Sequence, residues 1–427
     1  MKRANMKASI QQGNRPSERR GAGYVVVLGC AMMVTVIGLS AVLAVRLQLR
    51  IASADADVLT ARFYARSAVD MGRLAIRANP DWRTYYGNGE WVTGEPVGDG
   101  TYSVEVSDPG DADVEDSEED PILLTGTGYA GQARHAMRVE LVPVIEPLTC
   151  LEVSLLAADD VSVSGDVTGN QILAANSDFS AWFGRVRTDV EAATSISGFY
   201  YYGDTTHGVE QREIPTAEDL AFYYDTGTRI SIYSLPTADG FRQIGETLIS
   251  PGYNPFGSTD PSGIYIIDCN YQKIRIRETR IVGTIGLINP GSGSIIEREM
   301  NWEAAVENYP VLLVYGDLTI SMANEVLSES EENTNFNPAS TPYNGVSDND
   351  WSDKYPCVIS GLIYVSGDLS FSNYPHIEGV VIAGDDVSIA DDLDIDYLDT
   401  YLANPPPGFR KVTSMEPTPG SWRQVVD

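Results

Sequence analysis

The chain has 427 residues, 43% of them hydrophobic and 21% charged, enough apolar matter for more than one folded core. Its 29 basic and 60 acidic residues leave a net charge of -31, a surface that repels phosphate backbones and argues against nucleic acid as a partner. With 39 glycines, 23 tyrosines and many Val, Ser and Thr, the composition favours strands and turns over helices.

Residues 1–20 form a basic segment, with Lys2, Arg3, Lys7, Arg15, Arg19 and Arg20 against Glu18. From Ala22 to Val45 no charge occurs over 24 residues. At about 1.5 Å per residue that run spans roughly 36 Å, enough to cross a bilayer. The basic flank predicts a cytoplasmic N-terminus in the inner membrane and a periplasmic or extracellular body. A cleaved signal peptide is the alternative, but the run is longer than a typical apolar region and no small-x-small site leads into a turn. Residues 46–79 contain no proline, and Pro80 closes the segment. Arg62, Arg66, Asp70, Arg73 and Arg77 mark a polar stripe, and Tyr64, Ala68, Met71 and Ala75 an apolar one beside it. The expectation over 21–80 is therefore one transmembrane and extended helix, on the order of 90 Å long.

The series Arg19-Arg20-Gly21-Ala22, the apolar run, and then Ala61-Arg62-Phe63-Tyr64-Ala65-Arg66-Ser67-Ala68 resembles the N-terminus of PilX-type minor pilins and K-type pseudopilins. The resemblance covers about the first fifth of the chain. It implies a structural subunit of a type IV pilus or type II secretion apparatus, partnered with other pilin-like subunits through the helix. It also implies a prepilin peptidase cutting after Gly21, with Gly23 the alternative. The major pilins carry a glutamate at the fifth mature position; here that place falls on Val26, or on Leu28 for a cut after Gly23.

Residues 81–145 read as a small β region. Thr101–Ser107 and Ala136–Val142 alternate with the period of half-buried strands. Between them, Asp108–Asp120 carries eight carboxylates in thirteen positions. It lacks the register of an EF-hand loop and is expected to be a solvated, mobile acidic loop.

Residues 146–404 repeat themselves. Gly361–Glu378 and Gly379–Asp396 are successive 18-residue segments with no gap. Asp368 falls on Asp386, Leu369 on Val387, Ser370 on Ser388 and Phe371 on Ile389. Pro310–Ser321 places Asp317 in the same frame, and Val153–Ser164 places Asp160 there. Short strand, Gly/Asp turn, short strand is the unit of a parallel β-helix. Leu369, Phe371, Val387 and Ile389 are expected inside, Ser370 and Ser388 outside, and Ile264–Leu287 supplies middle rungs. A β-sandwich is the alternative. The stretches 176–257 and 328–354 read as long rung insertions, and the Pro-rich tail 405–427 as an extended segment docked on the last rung.

Chemistry is sparse. Asp385, Asp386, Asp391, Asp392, Asp394 and Asp396 could hold calcium or supply an acid/base pair, but residues 355–409 contain no Lys or Arg to complete a lyase site. Turn formation already accounts for these aspartates. His135, His207 and His376 are widely separated, and no nucleophile elbow, Walker A or zinc-protease motif occurs. Cys30 lies in the apolar run; Cys150, Cys269 and Cys357 could form one disulfide in an exported body or remain buried thiols. The expectation is a mainly β protein behind a long N-terminal transmembrane helix, without catalytic, cofactor or metal residues. Its β-helix would serve as a spacer or adhesive surface toward carbohydrate or a cell surface. The alternative is a membrane-tethered carbohydrate-active or carbohydrate-binding protein.

Overall fold

The computed structural model describes residues 19–426. Of the basic segment 1–20, all but the last two positions lie outside the described residues. The chain divides into two compact units, one running to Val144 and resuming at Ser414, the other from Ile145 to Thr413.

The first unit is built on helix α1, Arg19–Ala78, unbroken over 60 residues. Its apolar part, Tyr24 to Ile51, is exposed along its length. From Ala61 onward one side is buried, at Ala61, Ala65, Ala68, Val69 and Ile76. The short helix α2, Trp82–Tyr86, leads into an antiparallel meander of β1 (Gly89–Val97), β2 (Gly100–Ser107), β3 (Ile122–Ala130) and β4 (Ala133–Pro147). Both expected strands fall inside β2 and β4.

The helix seat departs from the expected stripe. Ala68 is buried, but Tyr64 and Ala75 are only half-buried and Met71 is exposed. The reason lies in β3, whose Gly126 and Gly128 face α1. A Cβ on Gly128 would lie 2.3 Å from the Ala61 carbonyl oxygen, and one on Gly126 2.4 Å from that of Ala65. The backbones approach so closely that only alanine-sized residues fit the seam. The bulkier Tyr64 and Met71 flank it. The polar stripe stands as expected, with Arg77 paired to Glu416 at 2.7 Å.

The acidic loop 108–120 is mostly exposed, as its charge predicts, but it is also tied at one point. The buried Arg83 guanidinium donates to the carbonyl oxygens of Val114 (3.0 Å), Glu118 (3.1 Å) and Asp120 (2.6 Å), so the loop wraps one cation. Burial pulls the Arg83 pKa down, and Asp120 and Glu118 oppose that shift. The tail also differs. Arg423–Val425 pairs antiparallel with β4, Gln424 opposite Met137, rather than docking on a rung, because an open strand edge is available there.

The second unit is a parallel β-helix. Neighbouring turns pair strand on strand in parallel, which rules out the sandwich. Leu369 lies on Val387 and Phe371 on Ile389, all four at most 1% exposed, while Ser388 is exposed and Ser370 half-buried. Ile264–Asp268 pairs with Thr284–Ile288, giving the expected middle rungs. A single interior of aliphatic side chains runs from Leu155 to Ile395. A second apolar layer covers the outside of one face, where Leu220, Tyr223, Tyr401 and Phe409 lie over Leu156, Leu313 and Ile382.

The stacking order is not the chain order. Val381–Ala383 pairs with Leu155–Ala157, and Val387–Ile389 with Val161–Val163, so the last repeat in sequence sits on the first. From that junction the chain winds one way through Leu173–Ala175, Val190–Ala192 and Thr205–His207. The remaining turns stack on the other side, back through Ile363, Leu312, Ile285 and Ile264. The stretch 176–257, expected as an insertion, therefore holds coil strands: Asp178–Ala181, Val190–Ala192, Ser195–Gly198 and Phe241–Ile249 all pair within the coil.

Candidate functional site

The aspartates singled out in the repeat form a ladder at one corner of the coil. The carboxylate of Asp317 accepts the Asp368 N–H at 3.1 Å, Asp368 accepts Asp386 N–H at 3.4 Å, and Asp386 accepts Asp160 N–H at 3.0 Å. Asp160 then accepts Asp178 N–H at 2.9 Å, and Asp178 takes the Ser195 hydroxyl at 2.8 Å. Asp317, Asp368, Asp386 and Asp160 each satisfy a backbone donor of the adjoining turn, which is why the residue recurs. Two residues on, Thr319, Ser370, Ser388, Ser162, Ser180 and Ser197 stack in register as an outward column of hydroxyls.

The six aspartates of 385–396 are not one site. Asp385 and Asp386 approach Asp159. Asp391 accepts the Asn373 N–H at 3.1 Å, Asp392 the Asp166 N–H at 3.2 Å, and Asp394 the Thr168 hydroxyl at 2.6 Å. Asp396 lies 3.8 Å from His376. Burial, then the charges of Asp368 and Asp386, pushes the Asp385 carboxyl up from its ordinary value. That accords with a row of like charges in which single members hold protons more readily.

The other expected groups carry no assembled chemistry. His135 lies on β4, its pKa lowered by burial and by Arg62; His207 is exposed on the Thr205–His207 strand. Cys150, Cys269 and Cys357 are free thiols, the second of the two expected states. Burial pushes Cys269 up to about 12 and Cys357 up to about 11, and raises Cys150 further, so none is a thiolate near neutral pH.

The other feature with functional content is α1. Gly23–Ala78 contains a window of mean hydropathy 2.5, none of it buried, a candidate membrane span or signal near the N-terminus. Gly21 lies within the helix, two residues from its first described residue. Sequence reasoning missed the seat for the helix's second half, although a signal was present: the Gly126-Thr127-Gly128 alternation in β3 matches the small residues Ala61, Ala65 and Ala68.

No family model matches the chain, and no curated protein matches it in sequence. Among solved structures it is similar to the competence-associated pilin ComZ from Thermus thermophilus, at 9% identity and a TM-score of 0.32, over 87% of this chain and 98% of that one. It is also similar to an ice-binding protein from the Antarctic ascomycete Antarctomyces psychrotrophicus, at 12% identity and a TM-score of 0.26, over 58% and 95% of the two chains. A third is an ice-binding protein from an Antarctic biological consortium, at 12% identity and a TM-score of 0.21, over 60% and 93%. At these scores the likenesses assign neither a family nor a role.

Proposed function

We propose that the chain is a non-enzymatic, membrane-anchored structural subunit of the PilX-type minor pilin or K-type pseudopilin kind, in a type IV pilus or type II secretion-like assembly. The observation that carries this reading is α1 itself. One unbroken helix presents an exposed apolar half and sinks its other end into a small antiparallel sheet through Ala61, Ala65 and Ala68. A tether needs only the first half. A subunit that must hand force from a helical bundle to a folded head needs the helix to continue rigidly into that head.

In this reading Met1–Gly21 is cytoplasmic and released by a prepilin peptidase, the apolar half packs with other pilin-like helices, and the second unit is exported. The β-helix serves as spacer or adhesive surface. Trp182, Phe183, Phe199 and Tyr202 stand exposed on its turns beyond the junction, a surface fit for carbohydrate or a cell wall. The test is site-specific crosslinking. Cys30 is exposed on the apolar half, and a thiol-attached photocrosslinker placed there should trap a second pilin-like helix in membranes. A protein that stays monomeric under those conditions, with its other assembly proteins present, would favour the membrane-tethered carbohydrate-active alternative.

A further inference from the structure

The insertion after Leu327 leaves the coil and closes on itself, Leu327–Ser328 pairing antiparallel with Lys354–Tyr355. At its centre Glu329 is fully buried. Its Oε1 accepts the Phe336 N–H at 2.6 Å and the Tyr355 hydroxyl at 2.9 Å; its Oε2 accepts the Asp353 N–H at 3.2 Å. Carboxylate oxygens of Glu329, Asp348 and Asp350 lie within 4.8 Å of one another. No ion pair among the described residues involves any of these three or Asp353. Burial, then the hydrogen bond and negative charge of Glu329 and the charge of Asp353, pushes the Tyr355 phenol above its ordinary range.

A second observation is independent of the carboxylates. Asn337 is 1% exposed, and its Nδ2 donates to Asp353 Oδ2 at 2.8 Å. Its Oδ1 is buried and has no hydrogen-bond partner. Asn337 follows Phe336 in the chain and bonds Asp353, and the N–H groups of those two residues bind the two oxygens of Glu329, so the amide adjoins the Glu329 end of the cluster. A buried acceptor without a donor is destabilising unless something positive meets it.

We propose that this loop is a calcium site, with Glu329, Asp348 and Asp350 as carboxylate ligands and Asn337 Oδ1 as a neutral one. The donor set is all oxygen, without a thiolate or imidazole, which suits a hard cation rather than zinc. A mixed carboxylate and amide set spread over a loop suits calcium's flexible coordination better than magnesium's tight octahedron. The ion would tie Glu329 at one end of the insertion to the Asp348–Asp353 turn at the other. The remaining carboxylate groups differ. Asp159, Asp385 and Asp386 are all exposed on the coil, with no buried carboxylate among them, and Glu278 is paired with Arg277 and Arg298 at 3.1 and 2.6 Å.

The test uses the full chain in detergent, stripped with a chelator and titrated with terbium. Trp351 lies inside the loop and can sensitise terbium emission. The expected result is saturable emission displaced by calcium, with an affinity of about 10⁻⁴ to 10⁻³ M as in extracellular calcium modules. Calcium at ten times that concentration should raise the melting temperature by a few degrees. Asp348→Asn with Asp350→Asn should remove both effects, Asn337→Ser should weaken calcium at least tenfold, and Asp385→Asn with Asp386→Asn should leave them intact. Absence of emission and of a calcium shift in the wild type overturns the proposal. So does emission that survives the 348/350 change and disappears with the 385/386 change.

Discussion

Replacing Gly128 by alanine probes how α1 is held. The added Cβ would lie 2.3 Å from the Ala61 carbonyl oxygen and 2.4 Å from the Ala65 nitrogen, both backbone atoms of a regular helix. No side chain can swing aside, so α1 and β3 must separate by about 1 Å. A gap of that size forfeits a quarter to a half of each dispersion contact along the seam. Overpacking of this type costs about 1–3 kcal/mol, and here the upper end is expected because the obstacle is backbone. For a unit of this size about 3 kcal/mol corresponds to a fall of roughly 10 °C in its melting temperature. Calorimetry on detergent-solubilised protein, which resolves the transitions of the two units, is the assay. Gly38→Ala is the control, because its added Cβ has nothing within 4 Å. A Gly128→Ala transition within 2 °C of wild type, roughly the effect of half a kcal/mol, would refute the close-seat argument.

Leu369→Asp or Ile389→Asp should abolish the cooperative transition of the β-helix, since a carboxylate among stacked aliphatic side chains loses its hydration without a partner, at a cost of several kcal/mol. Ser388→Asp, on the outward column, should lower the same transition only slightly in a thermal melt. Arg83→Met should free the 108–120 loop and expose it to a glutamate-specific protease; continued resistance would mean that the three carbonyl contacts do not hold it. Burial, followed by the charges of Glu278, Glu246 and Glu299, pushes Glu332 up to about 7. A raised folded-state pKa means that its contribution is fully present below pH 4.5 and is lost as pH rises through 7. Glu332→Gln should therefore raise the melting temperature at pH 8 and change little at pH 4.5. Cys150, Cys269 and Cys357 should resist alkylation in the folded protein at pH 7.5, with no mass change on reduction.

Much of this architecture could be read directly from residues, and the misses share a cause. The 361–396 repeat was legible because its two turns are adjacent both in sequence and in the stack, so Leu369 on Val387 follows from alignment alone. The alignment puts Asp160 in the frame of the repeat, but not beside Asp386, its neighbour in the stack. A repeat shows which residues are equivalent, not which turn lies on which, and the chain joins its ends in the middle of the coil. Strands such as Val190–Ala192 and Ser195–Gly198 are not separable from an insertion in the sequence, because three or four residues cannot establish a period. The helix seat was shifted because a stripe drawn from hydrophobicity favours Tyr64 and Met71, whereas the glycines of β3 select for size. The tie between the acidic loop and Arg83 is not legible, because it is made to carbonyl oxygens that leave no trace in composition. The 385–396 aspartates read as turn-formers in the sequence; that Asp386, Asp391 and Asp392 take N–H groups of adjoining turns required coordinates. Asn337 and Glu329 carried no signal on their own; only folding brings them to the Asp348–Asp353 turn.

The intact mass of the mature chain recovered from membranes tests the central claim most directly. A subunit whose helix is processed at its cytoplasmic edge and kept as both anchor and stalk begins at Ala22 and retains everything to Asp427. A chain beginning beyond Arg50, or one found only in the soluble fraction, would mean that the apolar run is a removed signal. A chain beginning at Met1 would leave a simple tether. Either result contradicts the account.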